Sequence, residues 1–291
     1  MLRADNLTFV HGGAPKITPG VIAPNTTGNQ SGSECQSGSD FQALPGVQGV
    51  SLSVARGSVV GLLGPNGSGK TTLLRLLAGM LEPASGTVSL DGRPIAEMDA
   101  RARARRIAVV PQETHLAFDY TVLEIALMGR YPHLGVFELE GPRDVQLARE
   151  ALAATGTSAL ERRLFATLSG GEKQRVVIAS ALAQQADILL LDEPTASLDV
   201  GYQFEIANLL GRLNKSRGLT IVVATHDLNF AAGLCHSLVL VSEGRVVNAG
   251  PTNDTLTSLN IQALYGVVAD VYPHHAAGHL TVVPLRKVNR D

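Results

Sequence analysis

The stretch that decides the fold is Gly64-Pro65-Asn66-Gly67-Ser68-Gly69-Lys70-Thr71-Thr72. An apolar run over residues 59–63 precedes it, and a leucine-rich run over residues 73–81 follows it with the spacing of a helix. Together they give the pattern G-x-x-x-x-G-K-[ST] between a strand and a helix, which is the context that a phosphate-binding loop requires. We therefore expect residues 64–72 to bind the phosphates of a nucleotide.

The residue types in this loop suit phosphate binding. Glycines leave room for consecutive backbone N–H groups to converge on the phosphates. The N-terminus of the following helix brings its partial positive charge to the same place. Lys70 adds a full positive charge, and the Thr71 hydroxyl can join the coordination shell of Mg²⁺. The loop indicates that the chain binds a nucleotide. The purpose of that binding has to be inferred from other parts of the chain.

Composition bounds the class of protein. The chain has 291 residues, enough for one large domain or two small ones, and its net charge of −2 gives no reason to expect nucleic acid as a partner. Cys35 and Cys235 lie far apart and indicate a reducing compartment rather than a disulfide framework. We find no signal peptide and no run of the roughly 18 apolar residues that a membrane-spanning helix needs. We expect a soluble chain that can still sit on a membrane through a partner.

Before the phosphate loop, a long polar stretch separates two predicted strands. Residues 7–10 predict a short strand, and residues 12–49 are rich in Gly, Pro, Ser, Thr, Asn and Gln. Because residues 25–40 contain almost no side chain that could pack, we interpret 12–49 as a long surface loop or a flexible insertion. Alternation of Leu52 and Val54 with serines then predicts a half-buried strand from residue 50.

Further strands follow the first helix. Residues 87–90 predict a strand, and Asp91-Gly92 predicts a hairpin turn. The basic run at residues 99–106 could contact phosphates but is more typical of a solvated helix face. Residues 107–110 are apolar and mostly β-branched and predict a buried strand, which places Gln112 just after a strand end.

Residues 114–170 predict a mainly helical block. Thr121-Val122-Leu123-Glu124 resembles a capping box at the start of one helix. A second, amphipathic helix over residues 144–154 follows the break at Gly141-Pro142. Because the block lies between strands, we expect it to form an inserted helical subdomain.

Two further motifs carry chemistry. The Leu-Ser-Gly-Gly-Glu segment at residues 168–172 opens a helix with glycines, so it predicts a second anion site by the same dipole argument. Residues 188–193 form an apolar strand that ends in Asp192 and Glu193, where ligands bind in parallel sheets. We expect Asp192 to hold Mg²⁺ through water and Glu193 to polarise an attacking water, a role worth roughly 10²–10⁴-fold in rate.

The next buried strand, residues 220–225, ends at His226-Asp227. A histidine at this end of a parallel strand could donate to a γ-phosphate oxygen. On its own, His226 is equally compatible with a structural histidine.

Taken in order, these motifs carry a resemblance to a known family. They are the phosphate loop, Gln112, the segment at 168–172, Leu-Asp-Glu-Pro-Thr at 191–195, Ser-Leu-Asp at 197–199 and His226. Outside residues 12–49 the chain resembles the ATP-binding subunit of ATP-binding-cassette (ABC) transporters. The resemblance implies an α/β fold: a P-loop NTPase cassette with a mainly parallel sheet core, an antiparallel β-subdomain and an inserted α-helical subdomain. It also implies one ABC domain over residues 1–291, with 248–291 as a C-terminal extension.

The resemblance implies a role for each matching residue. Residues 64–72, the Walker A segment, bind ATP. Thr71 and Gln112 coordinate Mg²⁺, with Asp192 in its outer shell. Glu193 is the general base, and His226 senses and fixes the γ-phosphate.

A further set of residues acts in trans, because two cassettes of this family pack head to tail and one signature closes on the other subunit's ATP. The implied signature residues are Ser169, Gly170, Gly171 and Glu172. Asp199 communicates across the same dimer.

The sequence departs from the family pattern at two places. An aromatic residue usually stacks on adenine after the first strand, and the aligned residue here is His11. The base contact therefore falls to His11, to Phe9 or to a residue of the insertion. The second departure is Glu172, where the signature more often has Gln.

Within the family, Gly129-Arg130-Tyr131-Pro132 and the segment from Tyr265-Gly266-Val267 to residues 279–284 resemble importers of metal chelates, namely iron–siderophores, haem and cobalamin. This resemblance implies a homodimer of ATP-binding subunits on a membrane permease, fed by an extracytoplasmic binding protein. The chain would then work at the cytoplasmic face of the inner membrane and bind no nucleic acid.

Three alternatives stay open: the ATPase of another ABC transporter class, a soluble ABC ATPase without a permease, and a nucleotide-dependent binding module that does not hydrolyse. The presence of Glu193 and His226 argues against the last. His274, His275 and His279 invite a metal-site interpretation, but a solvated turn before the last strand is the simpler one.

Overall fold

The computed structural model describes residues 1–10, 45–114, 118–135 and 137–288. In chain order the strands are β1 (Leu2–Val10), β2 (Pro45–Val54), β3 (Val59–Leu63), β4 (Ser85–Leu90), β5 (Arg93–Pro94), β6 (Ile107–Val110), β7 (Ile188–Asp192), β8 (Thr220–Thr225), β9 (Ser237–Ser242), β10 (Arg245–Pro251), β11 (Val267–His274) and β12 (His279–Lys287). The α-helices are α1 (Lys70–Leu77), α2 (Ala100–Ala104), α3 (Val122–Met128), α4 (Pro142–Ala154), α5 (Gly170–Ala183), α6 (Val200–Arg217), α7 (Leu228–Leu234), α8 (Thr252–Thr255) and α9 (Ser258–Tyr265).

A mainly parallel sheet forms the centre of the molecule, as predicted. Its strand order is β10-β9-β3-β8-β7-β6, and only β10 runs antiparallel to its neighbour. Strands β3, β7 and β8 are buried along their whole length, which matches their continuous apolar sequences. The carboxyl ends of these three neighbouring strands meet at one edge of the sheet.

Apolar clusters cover both faces of this sheet. Leu189, Leu191 and their neighbours point to one side, where α5, α6 and α7 add buried residues. Leu190 and the other alternate residues point to the opposite side, where α1 and the antiparallel sheet cover them. Alternate strand residues therefore build two separate cores.

The second sheet is antiparallel, with the order β2-β1-β4-β5, and confirms the predicted β-subdomain. Strand β2 begins at Pro45 rather than at Val50, so the predicted insertion over 12–49 is wrong for its last residues. These residues pair with β1, where Phe9 stands opposite Val47. His11 and the rest of the predicted insertion, up to residue 44, lie outside the described residues.

The helical block contains α3 and α4 and packs on α5. Thr121 and Glu124 form the predicted capping box: Glu124 N–H donates to Thr121 Oγ1 at 3.3 Å, and Thr121 N–H donates to Glu124 Oε2 at 2.7 Å. Helix α4 begins at Pro142, within the predicted break and two residues before the predicted start at residue 144. The block is thus anchored to the helix that carries the Leu-Ser-Gly-Gly segment.

The interpretation of residues 99–106 as a solvated helix face is wrong for Arg103. This side chain is buried, and burial lowers its pKa. It packs on Gly79, whose positive φ of 66° and lack of a Cβ leave room for the arginine stem. The sequence pattern did not indicate this contact, because the other residues of the run are exposed or only partly buried.

The extension after residue 248 contains the rest of β10, the short helix α8 and a C-terminal unit of α9, β11 and β12. The two strands of this unit form an antiparallel hairpin that packs on α7. Within the described ranges we find no helix with the length and apolar character needed to cross a membrane.

Candidate nucleotide-binding site

The predicted phosphate loop connects β3 to α1, and the helix begins at Lys70 rather than at residue 73. Gly67 and Gly69 have positive φ angles of 78° and 102°, which only glycine adopts without strain. At Gly64 a Cβ would collide with the carbonyl oxygen of Val241. The glycines therefore allow both the turn of the loop and its close contact with strand β9.

Lys70 lies at the mouth of this loop. Its Nζ donates to the carbonyl oxygens of Gly64 and Pro65 at 2.8 and 3.0 Å, and it is 3.6 Å from Glu193 Oε1. Burial lowers the pKa of Lys70, while the negative charge of Glu193 opposes this shift. The ammonium group is thus held where a phosphate would compete for it.

Asp192 and Glu193 follow β7 in different directions. Asp192 Oδ1 accepts a hydrogen bond from Thr71 Oγ1 at 2.9 Å. Burial raises the pKa of Asp192, and the Thr71 bond partly offsets that shift. Glu193 has a φ of 48°, and its N–H donates to the Ala224 carbonyl at 2.9 Å, so the chain bends at the strand end. The bend directs the two carboxylates to separate positions around the loop.

His226 follows β8 and contacts Glu193 across the strand ends. Its Nδ1 is 2.8 Å from Glu193 Oε2. The Glu193 side chain is buried, whereas the His226 side chain is 53% exposed. Glu193 therefore lies between the ammonium of Lys70 and an imidazole that remains accessible.

These side chains surround one cavity of about 480 Å³. Its walls contain nine of the predicted site residues together with Gly46. The predicted ones are Asn66, Gly67, Gly69, Lys70, Thr71, Thr72, Gln112, Glu193 and His226. Gly64, Pro65 and Ser68 lie in the loop behind that wall. Gly46 was missed, because it fell within the stretch interpreted as an insertion.

The donor set around Thr71 fits Mg²⁺. A hydroxyl oxygen, the Gln112 amide and the Asp192 carboxylate are the oxygen ligands that this ion prefers. The loop also contains an unsatisfied polar group, since Ser68 Oγ is buried and has no hydrogen-bond partner in the described part of the chain. Both observations fit a site for a metal-bound phosphate group.

The predicted signature residues lie away from this cavity in the same chain. Ser169 caps α5: its Oγ accepts the Glu172 N–H at 3.3 Å, and its own N–H donates to Glu172 Oε2 at 2.8 Å. This capping lowers the pKa of Glu172. Gly170 and Gly171 form the first turn, and Asp199 caps α6 by accepting the Tyr202 N–H at 3.0 Å. Their action in trans stays a prediction.

The Gly129-Arg130-Tyr131-Pro132 segment packs the helical block against α5. A Cβ at Gly129 would collide with the Ser180 carbonyl oxygen in α5. The buried Arg130 donates to Asp144 Oδ1 at 2.9 Å and to the Ala183 carbonyl at 2.7 Å. The segment fixes the helical block to the C-terminal end of α5, a role that its spacing in the sequence did not reveal.

The three histidines near the C-terminus do not form a metal site within the described residues. His274 Nδ1 accepts the Ala277 N–H at 3.2 Å and thereby closes the turn between β11 and β12. No group of three or more His, Cys, Asp or Glu side chains in the ranges described has an arrangement suited to a metal ion.

A phosphate loop joined to two strand-end carboxylates and a histidine defines a P-loop nucleotide-binding cassette. The family model described as ABC transporter matches residues 47–196. The chain therefore belongs to the ABC transporter family.

Named relatives agree with this assignment. The chain is 42% identical over 236 residues to the cobalamin import ATP-binding protein BtuD of Halobacterium salinarum, covering 81% of this chain but only 59% of that relative's length. It is 44% identical to the hemin import ATP-binding protein HmuV of Gloeobacter violaceus, covering 81% of this chain and 87% of the relative. It is 37% identical to the ferric enterobactin transport ATP-binding protein FepC of Escherichia coli K12, covering 82% and 88%.

Solved structures show the same fold. A metal-chelate type ABC transporter in an inward-facing conformation aligns with a TM-score of 0.78 and 29% identity over 98% of each chain. A dimeric bacterial ABC transporter cassette aligns with a TM-score of 0.70 and 27% identity, over 87% of this chain and 99% of that one.

Proposed function

We propose that the chain is the ATP-hydrolysing subunit of an ABC importer, and that it couples ATP binding and hydrolysis to the uptake of a metal chelate through a separate membrane permease. The observation that carries the proposal is the Glu193 carboxylate, which is buried at the cavity, 2.8 Å from His226 and 3.6 Å from Lys70. A carboxylate in this position suits a general base for a water molecule that attacks the γ-phosphate.

In this mechanism the loop holds ATP. Lys70 leaves the carbonyl oxygens of Gly64 and Pro65 and pairs with the β- and γ-phosphates. The backbone N–H groups of the loop and the N-terminus of α1 add to the binding. Release of Lys70 from Glu193 also frees that carboxylate to orient water.

Thr71, Gln112 and Asp192 would hold Mg²⁺. The ion when bound would neutralise charge on the phosphate oxygens. The Thr71–Asp192 hydrogen bond at 2.9 Å already brings two of these groups together. His226 stays close to Glu193 and can donate to the γ-phosphate oxygen. Loss of that phosphate would remove this hydrogen bond and could shift the start of α7, which follows His226 in the chain.

A second copy of the chain would complete the site. The N-terminus of α5 at Ser169 does not line the cavity of its own chain, and a helix N-terminus favours an anion, so a phosphate bound by another chain would suit it. A head-to-tail homodimer would bring Ser169, Gly170, Gly171 and Glu172 to the partner's ATP, with Asp199 at the contact. The likeness to a dimeric cassette supports this arrangement.

The helical block would contact the permease. Large apolar side chains are exposed on it, including Phe118, Tyr131, Phe137 and Leu139, and exposed apolar groups often mark partner contacts. Because Arg130 fixes the helical block to α5, a movement of the signature residues at the start of α5 would also move this surface. The chain would then lie at the cytoplasmic face of the membrane, with an extracytoplasmic binding protein delivering the cargo.

The cargo class rests on the relatives. Their names cover cobalamin, hemin and ferric enterobactin, so we propose an iron–siderophore, haem or cobalamin as the transported molecule. No residue of this chain needs to contact it.

A pull-down from native membranes in mild detergent tests the proposal. We expect a tagged chain to recover a permease with many membrane-spanning helices. ATPase assays with the matching binding protein, against a panel of siderophore, haem and cobalamin ligands, would then identify the cargo. Recovery without any membrane protein would contradict import and favour a soluble ABC ATPase, and recovery with an exporter would favour another transporter class.

A further inference from the structure

Arg103 carries a buried positive charge that the mechanism above does not use. The side chain is only 6% exposed, and its Nη2 has no hydrogen-bond partner among the residues that the structure describes. Its Nη1 donates a long hydrogen bond of 3.4 Å to the Met98 carbonyl. An arginine stays charged inside a protein, and a buried charge without a paired anion is unfavourable.

The acidic residues around Arg103 do not pair with it. Asp99, which precedes the same helix, is the residue whose negative charge acts on the guanidinium. Its Oδ1 accepts the Ala102 N–H at 2.7 Å and caps α2 instead. Glu82 lies nearby, but its side chain is exposed. Within the described ranges, the chain therefore holds a buried cation for which it supplies no anion.

Arg103 forms part of the wall of a cavity of about 270 Å³, between the end of α1, strand β4 and the segment before α2. Its Cδ and Nε atoms lie against Gly79, which belongs to the same wall. The volume is close to the lower limit of small-molecule sites, which combine apolar walls with a few polar groups. The apolar wall residues include Leu76, Leu81, Val88, Pro94, Ile95 and Met98.

The charges around the cavity favour a ligand with a single negative charge. A guanidinium pairs with a carboxylate through charge-assisted hydrogen bonds. Glu82 belongs to the same wall, so it would repel a second anionic group near it. The apolar wall would gain free energy by covering a hydrocarbon body, but it would leave further charges without partners. A small monocarboxylate with an apolar body meets all of these conditions.

We propose that this cavity binds a small carboxylate with an apolar body, of the class of short-chain fatty acids, and that Arg103 pairs with its carboxylate group. The site is separate from the nucleotide cavity, and the inference does not depend on the proposed ATPase function. Helix α1 connects the two sites, because it begins at Lys70 in the phosphate loop and Leu76, in its last turn, lines the new cavity. An occupant would therefore support the helix that carries the loop.

Isothermal titration calorimetry on the full chain without nucleotide, at neutral pH, tests the proposal with sodium hexanoate as the probe. Hexanoate is ionised at this pH, and hexan-1-ol is an uncharged control of the same chain length. We expect one hexanoate to bind per chain, at least about tenfold more tightly than hexan-1-ol, as for hydrogen bonds to a charged group. Equal binding of the two probes would overturn the proposal, and so would the absence of hexanoate binding up to about 10 mM.

Arg103→Met removes the charge and keeps a long side chain in the wall. It should weaken hexanoate binding at least about tenfold and leave hexan-1-ol binding within about twofold. Arg162→Met is the matched control, because that side chain is 94% exposed. Lys70→Ala tests whether the probe binds at the phosphate loop instead. Both controls should bind hexanoate as the wild type does, and undiminished binding by Arg103→Met would contradict the proposal.

Nuclear magnetic resonance of the wild type gives a second measurement, which does not require Arg103→Met to fold. Met98 lines the cavity and is one of only four methionines in the chain, so methyl labelling of methionine makes it observable. We expect magnetisation transfer from bound hexanoate to the Met98 methyl group. Binding without this transfer would place the ligand elsewhere and overturn the proposal.

The outcome is independent of the ATPase test. A chain that hydrolyses no ATP but binds hexanoate at Arg103 would contradict the proposed function alone. A chain that hydrolyses ATP but does not bind hexanoate would contradict this inference alone.

Discussion

His226 Nδ1 lies 2.8 Å from Glu193 Oε2, so the accessible histidine and the buried carboxylate form one unit across the ends of β7 and β8. The pair links the residue that would activate water to the residue that precedes α7. It also makes the role of Glu193 the first one to test.

Glu193→Gln should lower kcat for ATP hydrolysis by about 10²–10⁴-fold, because the amide keeps the shape of the side chain but cannot accept a proton. ATP binding should persist and should hold the chain as a dimer. Steady-state ATPase assays and size-exclusion chromatography with ATP measure the two effects. Glu97→Gln, an exposed change far from the cavity, is the control. Hydrolysis by Glu193→Gln at the wild-type rate would mean that another group is the base.

The trans arrangement predicts complementation between two inactive chains. Lys70→Ala removes the phosphate contact, and Ser169→Arg blocks the signature. In a head-to-tail heterodimer of the two, one composite site keeps Lys70 from one chain and Ser169 from the other. Mixing them should therefore restore activity, up to about a quarter of the wild-type rate if chains mix at random and sites act independently.

The measurement is ATPase activity of the mixture after the subunits exchange. Each variant alone, at the same total concentration, is the control. A mixture that stays as inactive as its components would contradict action in trans.

The Arg130–Asp144 pair predicts a pH-dependent stability. The Arg130 guanidinium, as the main cause, holds the pKa of Asp144 below its ordinary value. A lowered carboxylate pKa adds stability above the unfolded-state pKa of about 3.9, and that stability is lost as pH falls through the folded value. At pH 7, Asp144→Asn should lower the free energy of unfolding by about 1–3 kcal/mol.

Urea unfolding of wild type and Asp144→Asn at pH 7 and at successively lower pH measures this difference. The gap should shrink below about pH 4, because the carboxylate of the unfolded state takes up its proton there, and it should disappear once the pH has fallen through the lower native pKa. Asp254→Asn, at an exposed position on α8, serves as the control. A gap that is independent of pH would show that the charge of Asp144 is unimportant.

Arg103 predicts a stabilising mutation. Its side chain is buried and its Nη2 has no partner among the described residues. The hydrogen bond that Nη1 donates to the Met98 carbonyl is long, at 3.4 Å. Since a buried charge without a paired anion is unfavourable, Arg103→Met should raise the free energy of unfolding by about 1 kcal/mol or more.

Chemical denaturation measures the change. Arg162→Met is the control, because the Arg162 side chain is 94% exposed and its replacement should stay within about 0.5 kcal/mol of wild type. A lower free energy of unfolding for Arg103→Met would contradict this prediction. It would mean that the Arg103 guanidinium makes favourable hydrogen bonds in the folded protein.

The sequence predicts the nucleotide site well because local rules decide it. Lys70 and Thr71 sit where the loop motif requires, and Glu193 and His226 follow apolar strands whose parallel pairing brings their ends together. The capping box at Thr121 is equally local. Motif and strand pattern together therefore give the position of each group without any knowledge of distant contacts.

The features that the sequence did not predict depend on contacts between distant segments. Arg103 is buried because Gly79, in a different element, leaves space for it. Gly46 joins the cavity because β2 extends back to Pro45, in a stretch whose composition is typical of loops. The hydroxyl oxygen of Tyr265 is buried and has no hydrogen-bond partner among the described residues. None of these contacts leaves a periodic signal in the residues around it.

The segment from Gly129 to Pro132 has a further consequence for how such a transporter changes its cargo over evolutionary time. It sorts the chain with chelate importers, yet its glycine meets Ser180 and its arginine meets α5, all within this subunit. On the proposed function, the choice of nutrient therefore lies with the permease and its binding protein, and this segment would serve the integrity of the ATP-hydrolysing subunit whichever cargo is carried.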